Sequence, residues 1–197
     1  VTPRPTSFSP DGRRLLYYLF GATQVYSLPL QPGQGEDSLP QAGKPEAFPE
    51  SATYEAAFSA DGKWIAYARG LDGTQNPQAA QLFVRSFPDR GGKWQISGAE
   101  GGTKPMWSPT GRQLYYTGLD RKIRVVDFST KGDSFEAGKP RVWADVPLAG
   151  PAFSPSADGK RMAVVMNRPG EERAQAQPVV MLHFFDEVQR RMKAGAK

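Results

Sequence analysis

Phe58-Ser59-Ala60-Asp61-Gly62, running into Trp64-Ile65-Ala66-Tyr67-Ala68, is the stretch that decides the fold, because the chain says it four times. The other copies are Phe8-Ser9-Pro10-Asp11-Gly12, Trp107-Ser108-Pro109-Thr110-Gly111 and Phe153-Ser154-Pro155-Ser156-Ala157-Asp158-Gly159. Each is an aromatic residue, a serine and a glycine-terminated turn that feeds an apolar segment. The turn glycines at 12, 62, 111 and 159 stand 50, 49 and 48 residues apart. A period near 50 belongs to a solenoid, a propeller or an array. Such architectures present surfaces and seldom carry chemistry within one repeat.

Working outward, each repeat reads as a short strand into the aromatic-serine pair, the turn, a second strand, a connection, a third strand and usually a fourth. The second repeat gives strands at 54–59, 64–69, 81–87 and 93–97, and the third at 104–108, 113–117, 123–128 and 141–144. In the first repeat the strands after the turn fall at 15–20 and 24–30, with a weak fourth near 46–48. Trp64-Ile65-Ala66-Tyr67-Ala68 and Met162-Ala163-Val164-Val165-Met166 are apolar on both faces, so they need cover on both sides. Blades stacked around an axis supply that cover, since each is sandwiched between its neighbours.

The fold expected is therefore all-β: a β-propeller of four-stranded antiparallel blades, filling 1–197 as one domain or as a segment of a larger ring. The blades fall at about 1–50, 51–99, 100–147 and 148–183. After the strand around Val179-Val180-Met181-Leu182, Phe184, Val188 and Met192 stand at i, i+4 and i+8, which predicts a short helix over 184–193. The Gly-, Pro- and Gln-rich stretches 31–41, 71–80 and 168–177 read as exposed connections.

The turns have a mechanism of their own. Pro10 fixes φ, Asp11 can bond the backbone ahead, and Gly12 takes a positive φ at no steric cost. Asp11, Asp61 and Asp158 are accordingly turn-formers first and ligands second.

Composition supports an all-β reading and narrows the function. The 197 residues include 21 Gly and 18 Pro with 39% hydrophobic content, which suits short strands joined by many turns. The net charge of +5 comes from basic residues spread along the chain, and the one dense group, Arg190, Arg191, Lys193 and Lys197, reads as a solvated end. No nucleic-acid partner is expected. With no cysteine there is no disulfide, thiol nucleophile or thiolate metal site, and no apolar run reaches the roughly 18 residues of a membrane-spanning helix.

The residues resemble the TolB-like, WD40-like propeller family, whose repeats carry a Ser-Pro-Asp-Gly turn. The resemblance is carried by the four turns and by Glu100-Gly101-Gly102-Thr103-Lys104-Pro105-Met106-Trp107, Gly111-Arg112-Gln113-Leu114-Tyr115-Tyr116, Phe135-Glu136-Ala137-Gly138-Lys139-Pro140 and Val179-Val180-Met181-Leu182-His183-Phe184-Phe185. These look like the closing blades of propellers at the C-terminus of bacterial proteins, in many of which a serine/threonine kinase domain and a membrane segment come first. The resemblance implies a periplasmic or extracytoplasmic binding module, with any kinase activity upstream of this chain. The fourth turn departs from the pattern by two extra residues, Ser156 and Ala157, and His183-Phe184 replaces the usual Asn-Trp. Family rings commonly close with six or more blades. Four visible blades imply further blades upstream, closure by four alone, or association of two copies.

Enzymatic readings lack their parts. His183 is the only histidine, so it would have to serve any Ser-His pair, histidine base or histidine metal site. No kinase catalytic loop, Asp-Phe-Gly or phosphate-binding loop is present, and no Gly-x-Ser-x-Gly elbow. The 20 acids could supply a glycosidase-like pair, yet the sequence selects none of them; Glu100 and Asp120 would merely share a rim. No cofactor and no metal are expected.

Binding at a propeller rim remains the leading expectation, with a carboxylate-dependent glycan-active or hydrolytic enzyme and a free periplasmic TolB-type scaffold as alternatives. The connections into the first strands carry Ser51-Ala52-Thr53-Tyr54, Gly101-Gly102-Thr103-Lys104 and Leu148-Ala149-Gly150-Pro151, joined by Leu119-Asp120-Arg121. Small residues leave room for a protein, peptide or small ligand. Tyr54, Lys104, Asp120 and Arg121 supply the candidate contacts.

Overall fold

The structure is a computed structural model and describes residues 2–21, 24–33, 39–73, 76–109, 111–146, 148–156, 158, 160–166 and 178–181. The helix expected over 184–193, His183 and the whole 168–177 connection lie outside the described residues. Everything described is strand, turn or irregular backbone, apart from a short 3₁₀ helix at Pro77–Ala79.

Four antiparallel sheets follow one another along the chain. The first holds β1 (Thr2–Phe8), β2 (Arg14–Phe20), β3 (Val25–Gln31), β4 (Gln41–Ala42) and β5 (Glu46–Ala47). The second holds β6 (Thr53–Phe58), β7 (Trp64–Gly70), β8 (Ala80–Ser86) and β9 (Lys93–Gln95). The third holds β10 (Thr103–Trp107), β11 (Gln113–Thr117), β12 (Ile123–Lys131), β13 (Ser134–Ala137) and β14 (Arg141–Ala144). The fourth holds β15 (Leu148–Pro155), β16 (Met162–Met166) and β17 (Pro178–Met181). β13 extends the long β12 beyond β14, and 134–137 was not among the strands read from the sequence.

The turn motif works as its residues dictate. Ser59 Oγ accepts from the Trp64 amide at 3.0 Å and donates to Asp61 Oδ1 at 2.6 Å, and the same carboxylate accepts from the Lys63 amide at 3.1 Å. Ser9, Asp11 and Arg14 repeat this cage, and Gly12 and Gly62 take φ of 68° and 69°. The carboxyl of Asp11 lies below its usual range because Ser9 and the Arg13 amide donate to it.

The fourth turn corrects the expectation of an insertion. There the cage is built by Ser156, whose Oγ accepts from the Arg161 amide at 3.0 Å and bonds Asp158. Ser156 N also donates to Arg161 O, as Ser9 N does to Arg14 O and Ser59 N to Trp64 O. Ser154 instead lies within β15, opposite Ala163. The motif serines are thus 9, 59, 108 and 156, with the same 50, 49 and 48 spacing as the glycines. The aromatic residue has moved: Pro155 stands where Phe8, Phe58 and Trp107 stand in the other copies, and Phe153 sits two residues upstream on the same face.

Packing between sheets explains why their central strands are apolar on both faces. Between the first and second sheets Leu16, Val25 and Phe48 meet Phe58, Ile65, Tyr67 and Phe83. Between the second and third, Trp64, Ala66, Leu82 and Val84 meet Trp107, Leu114, Tyr116 and Val126, with Phe135 of β13 folded back over the seam. Between the third and fourth, Tyr115, Ile123 and Val125 meet Phe153, Met162 and Val164. Each middle sheet therefore buries both faces, and each fully buried Leu or Ile side chain contributes about 1.5–3 kcal/mol. The Trp107 indole donates to Ala57 O at 3.0 Å, tying the third sheet to the second.

Polar clasps sit over two of the seams. Tyr67 donates to Glu50 Oε1 at 2.6 Å and Tyr116 to Glu100 Oε1 at 2.6 Å, the same pairing one repeat apart. Glu50 further draws in Lys93 at 2.8 Å, Arg85 at 3.2 Å and Arg69 at 3.7 Å. Burial pushes the Glu50 carboxyl up, but its hydrogen bonds to Lys93 and Tyr67 and the Arg85 charge outweigh that and hold it below its usual range.

Candidate functional site

The first strands of the first three sheets carry an irregularity at corresponding places. In β6, Tyr54 pairs with Ala68 and Ala57 with Ala66, three steps against two. In β10, Thr103 pairs with Thr117 and Met106 with Tyr115, again three against two. In β1, Pro5 pairs with Tyr17 and Ser7 with Leu16, two against one. One extra residue per strand is a β-bulge, which bends the strand and re-aims a side chain.

These bulges converge on one cavity. A space of about 370 Å³ is lined by Arg4, Pro5 and Thr6 of β1, Glu55, Ala56 and Ala57 of β6, Lys104, Pro105 and Met106 of β10, Phe153 of β15, and Tyr18. First strands of all four sheets contribute, so the cavity lies on the axis about which the sheets are arranged.

Two bulge residues have an uncommon backbone. Glu55 and Lys104 both take φ of 53° and stand 49 residues apart, one repeat. Neither is glycine, so each left-handed conformation costs on the order of 1–3 kcal/mol. Lys104 is moreover followed by Pro105, which further restricts its backbone. Their side chains meet: Lys104 Nζ lies 2.6 Å from Glu55 Oε1, and the Lys104 amide donates to Glu55 Oε2 at 2.9 Å. With side chains 15% and 38% exposed, the Glu55–Lys104 pair is open to the cavity and is worth at most about 1 kcal/mol by itself. The pair does not repay the strain of two left-handed residues. What the arrangement does is present one carboxylate and one ammonium at a fixed place, beside Arg4.

The four residues picked out from the sequence separate into three situations. Lys104 lines the axial cavity. Asp120 and Arg121 form the β11–β12 turn, where Arg121 takes φ of 62° and its amide donates to Gly118 O. Asp120 is committed to Arg124, with contacts of 2.6 and 2.7 Å that hold its carboxyl down to about 2. Arg124 also lies 3.9 Å from Glu100, so one arginine ties together the two acids expected to share a rim. Tyr54 is 5% exposed and packs with Ala68, Ala80 and Tyr18, presenting almost no surface.

Glu55 and Arg4 were missed. The signal that would have found Glu55 was in the sequence: it stands one repeat before Lys104. Among the described residues the lining of the axial cavity holds one carboxylate, that of Glu55, and its partner is a cation.

No family model matches this sequence, and no curated protein matches it. Solved structures do match. A candidate 6-phosphogluconolactonase from Bacteroides uniformis is 18% identical over 92% of this chain and 56% of its own, with a TM-score of 0.53. TolB from Acinetobacter baumannii is 15% identical over 92% of this chain and 41% of its own, with a TM-score of 0.53. A candidate TolB from Agrobacterium tumefaciens is 17% identical over 90% of this chain and 75% of its own, at the same TM-score of 0.53. The chain spans about half the length of the first of these structures. At such identities the likeness is one of fold, and together with four antiparallel sheets packed face to face around a common cavity it establishes that the chain folds as β-propeller blades.

Proposed function

We propose that the chain is a non-catalytic binding or sensor module whose ligand, a small molecule or an extended segment of a partner protein, enters the axial cavity and contacts Glu55 and Lys104. The observation that carries this reading is the repeated bulge. Two non-glycine residues hold the same strained conformation one repeat apart, and both side chains meet in a cavity to which all four sheets contribute. Strain kept at equivalent positions is more economically explained by a site than by packing. The likeness to TolB structures supports a protein-interaction role of this general kind. The finer reading, a C-terminal sensor of a larger, kinase-linked bacterial protein on the extracytoplasmic side of a membrane, rests on the sequence resemblance.

The test is selection of a peptide from a random heptapeptide phage library on the immobilised chain. Binding of that peptide is expected to fall at least tenfold on Lys104→Glu with the circular dichroism spectrum unchanged. Undiminished binding to Lys104→Glu would refute the axial site. The hydrolase reading draws support from the candidate 6-phosphogluconolactonases among the matching structures. Incubating the chain with 6-phosphogluconolactone and following acid release decides it: turnover that disappears in Glu55→Gln would replace the binding reading with an enzymatic one.

A further inference from the structure

We propose that the occupant of the axial cavity meets Lys104 with a carboxylate. The proposal rests on the cavity being the binding site, and it turns on which of the charges there is left to offer. Glu55 is used up: Oε1 lies 2.6 Å from Lys104 Nζ, Oε2 accepts from the Lys104 amide at 2.9 Å, and the side chain is 15% exposed. Lys104 has capacity to spare. An ammonium has three protons to donate, Glu55 is the one partner of this ammonium among the described residues, and the side chain is 38% exposed. Glu55 therefore fixes the ammonium in place, and the ammonium is what a ligand encounters.

Charge balance selects the sign. Among the described residues the lining carries two cations, Arg4 and Lys104, against the one carboxylate. One positive charge is in excess, between walls that include Ala56, Pro105, Met106 and Phe153, and low-dielectric walls focus such a field on the space they enclose. A cationic ligand would have to break Glu55 away from both of its contacts with Lys104. A neutral carbonyl could accept from the ammonium but would leave the excess charge unmatched as water is expelled. A carboxylate accepts a charge-assisted hydrogen bond and leaves the lining neutral. Phosphate fits less well, because its charge of about −1.5 to −2 at neutral pH exceeds the single positive charge to be matched. Phosphate cradles are also built from successive backbone N–H groups. Here the Lys104 amide is taken by Glu55, and Pro5 and Pro105 have no N–H. The carboxylate can belong to a small organic acid or to an Asp or Glu side chain of a partner segment, and a cavity of about 370 Å³ admits either.

Nitrogen-15 shift mapping with probes that share one apolar body tests the sign without any variant: phenylacetate, phenylacetamide, phenethylamine and phenyl phosphate, each at millimolar concentration. Phenylacetate is expected to move the Lys104 and Glu55 amides furthest. The phage-selected heptapeptide supplies a second arm. It is expected to contain an Asp or Glu whose replacement by Asn or Gln weakens binding at least tenfold in the unaltered chain and less than twofold in Lys104→Gln, so that the two changes are coupled. Either arm supports the proposal: shifts from phenylacetate name a small acid as the source, and coupling in the peptide names a partner's side chain. Phenylacetate acting no more strongly than its amide, together with a peptide that binds equally as acid and amide, would overturn the carboxylate. The cavity itself survives that outcome if the peptide still fails to bind Lys104→Glu. Larger shifts from phenethylamine or phenyl phosphate than from phenylacetate would overturn the carboxylate as well. Peptide binding indifferent to Lys104→Glu would remove the cavity and this proposal together.

Discussion

Ser59→Ala, compared with Ser156→Ala and Ser154→Ala, tests the register of the repeat at its turns. Ser59 is 3% exposed, and its hydroxyl is the acceptor for the Trp64 amide at 3.0 Å as well as the donor to Asp61 at 2.6 Å. Removing it leaves a buried amide without its acceptor, which costs about 1–3 kcal/mol. For a chain of this size that lowers the melting temperature by about 2–4 °C per kcal/mol. Ser156 makes the same bonds in an exposed turn, where water can take over the Arg161 amide. Its loss should cost under about 1 kcal/mol. Ser154 is exposed in mid-strand, and its replacement should fall within about 0.5 kcal/mol of zero. Urea unfolding followed by tryptophan fluorescence orders the three variants directly. If Ser154→Ala cost more than Ser156→Ala, or if Ser59→Ala were neutral, the structural register of the fourth turn or the proposed role of the motif serine would be wrong.

The other predictions concern the seams, the strained bulge and the buried tyrosines. Trp107→Ala should destabilise by about 3–5 kcal/mol, whereas Trp107→Phe, which keeps most of the burial and loses the bond to Ala57 O, should cost about 1–2 kcal/mol; chemical denaturation separates the two. Lys104→Gly should be more stable than Lys104→Ala by about 1 kcal/mol, because glycine accepts φ of 53° and alanine does not, and both should bind the selected peptide poorly. Burial raises the Tyr67 and Tyr116 hydroxyls above their ordinary value near 10, and donation to Glu50 and Glu100 raises them further. A raised folded-state value favours the fold fully below that ordinary value, and the benefit is lost as pH climbs beyond it. The melting temperature should therefore fall above about pH 10, with the 295 nm absorbance of these tyrosinates appearing only as the chain unfolds.

The blades were legible because their signal is periodic and local. In the first two turns the serine, aspartate and glycine bond to one another within six residues, so the motif determines its own geometry there. Strands covered on both sides announced themselves by lacking alternation, as 64–68 does. The fourth turn misled because Phe153-Ser154-Pro155 imitates the motif two residues early; only backbone pairing shows that Ser156 faces Arg161. The site was partly legible. Lys104 was found, but Tyr54, read as a rim aromatic, is drawn inward by Ala68 and Ala80, and Asp120 is taken up by Arg124. Glu55 escaped notice because a bulge is a property of two strands read against each other and a left-handed residue other than glycine leaves no residue-type signature; its place one repeat before Lys104 was the one signal left to find it by.

The claim on which the functional account turns is that the axial cavity, and not the outer grooves between blades, is where a partner binds. Amide chemical-shift mapping on the nitrogen-15-labelled chain, titrated with the phage-selected heptapeptide, tests it most directly. The largest shifts are expected on Thr6, Glu55, Ala56, Lys104 and Met106, and they should vanish in Lys104→Glu. Shifts centred instead on the groove of Arg14, Phe48 and Phe87 between the first two blades, unaffected by that substitution, would contradict it.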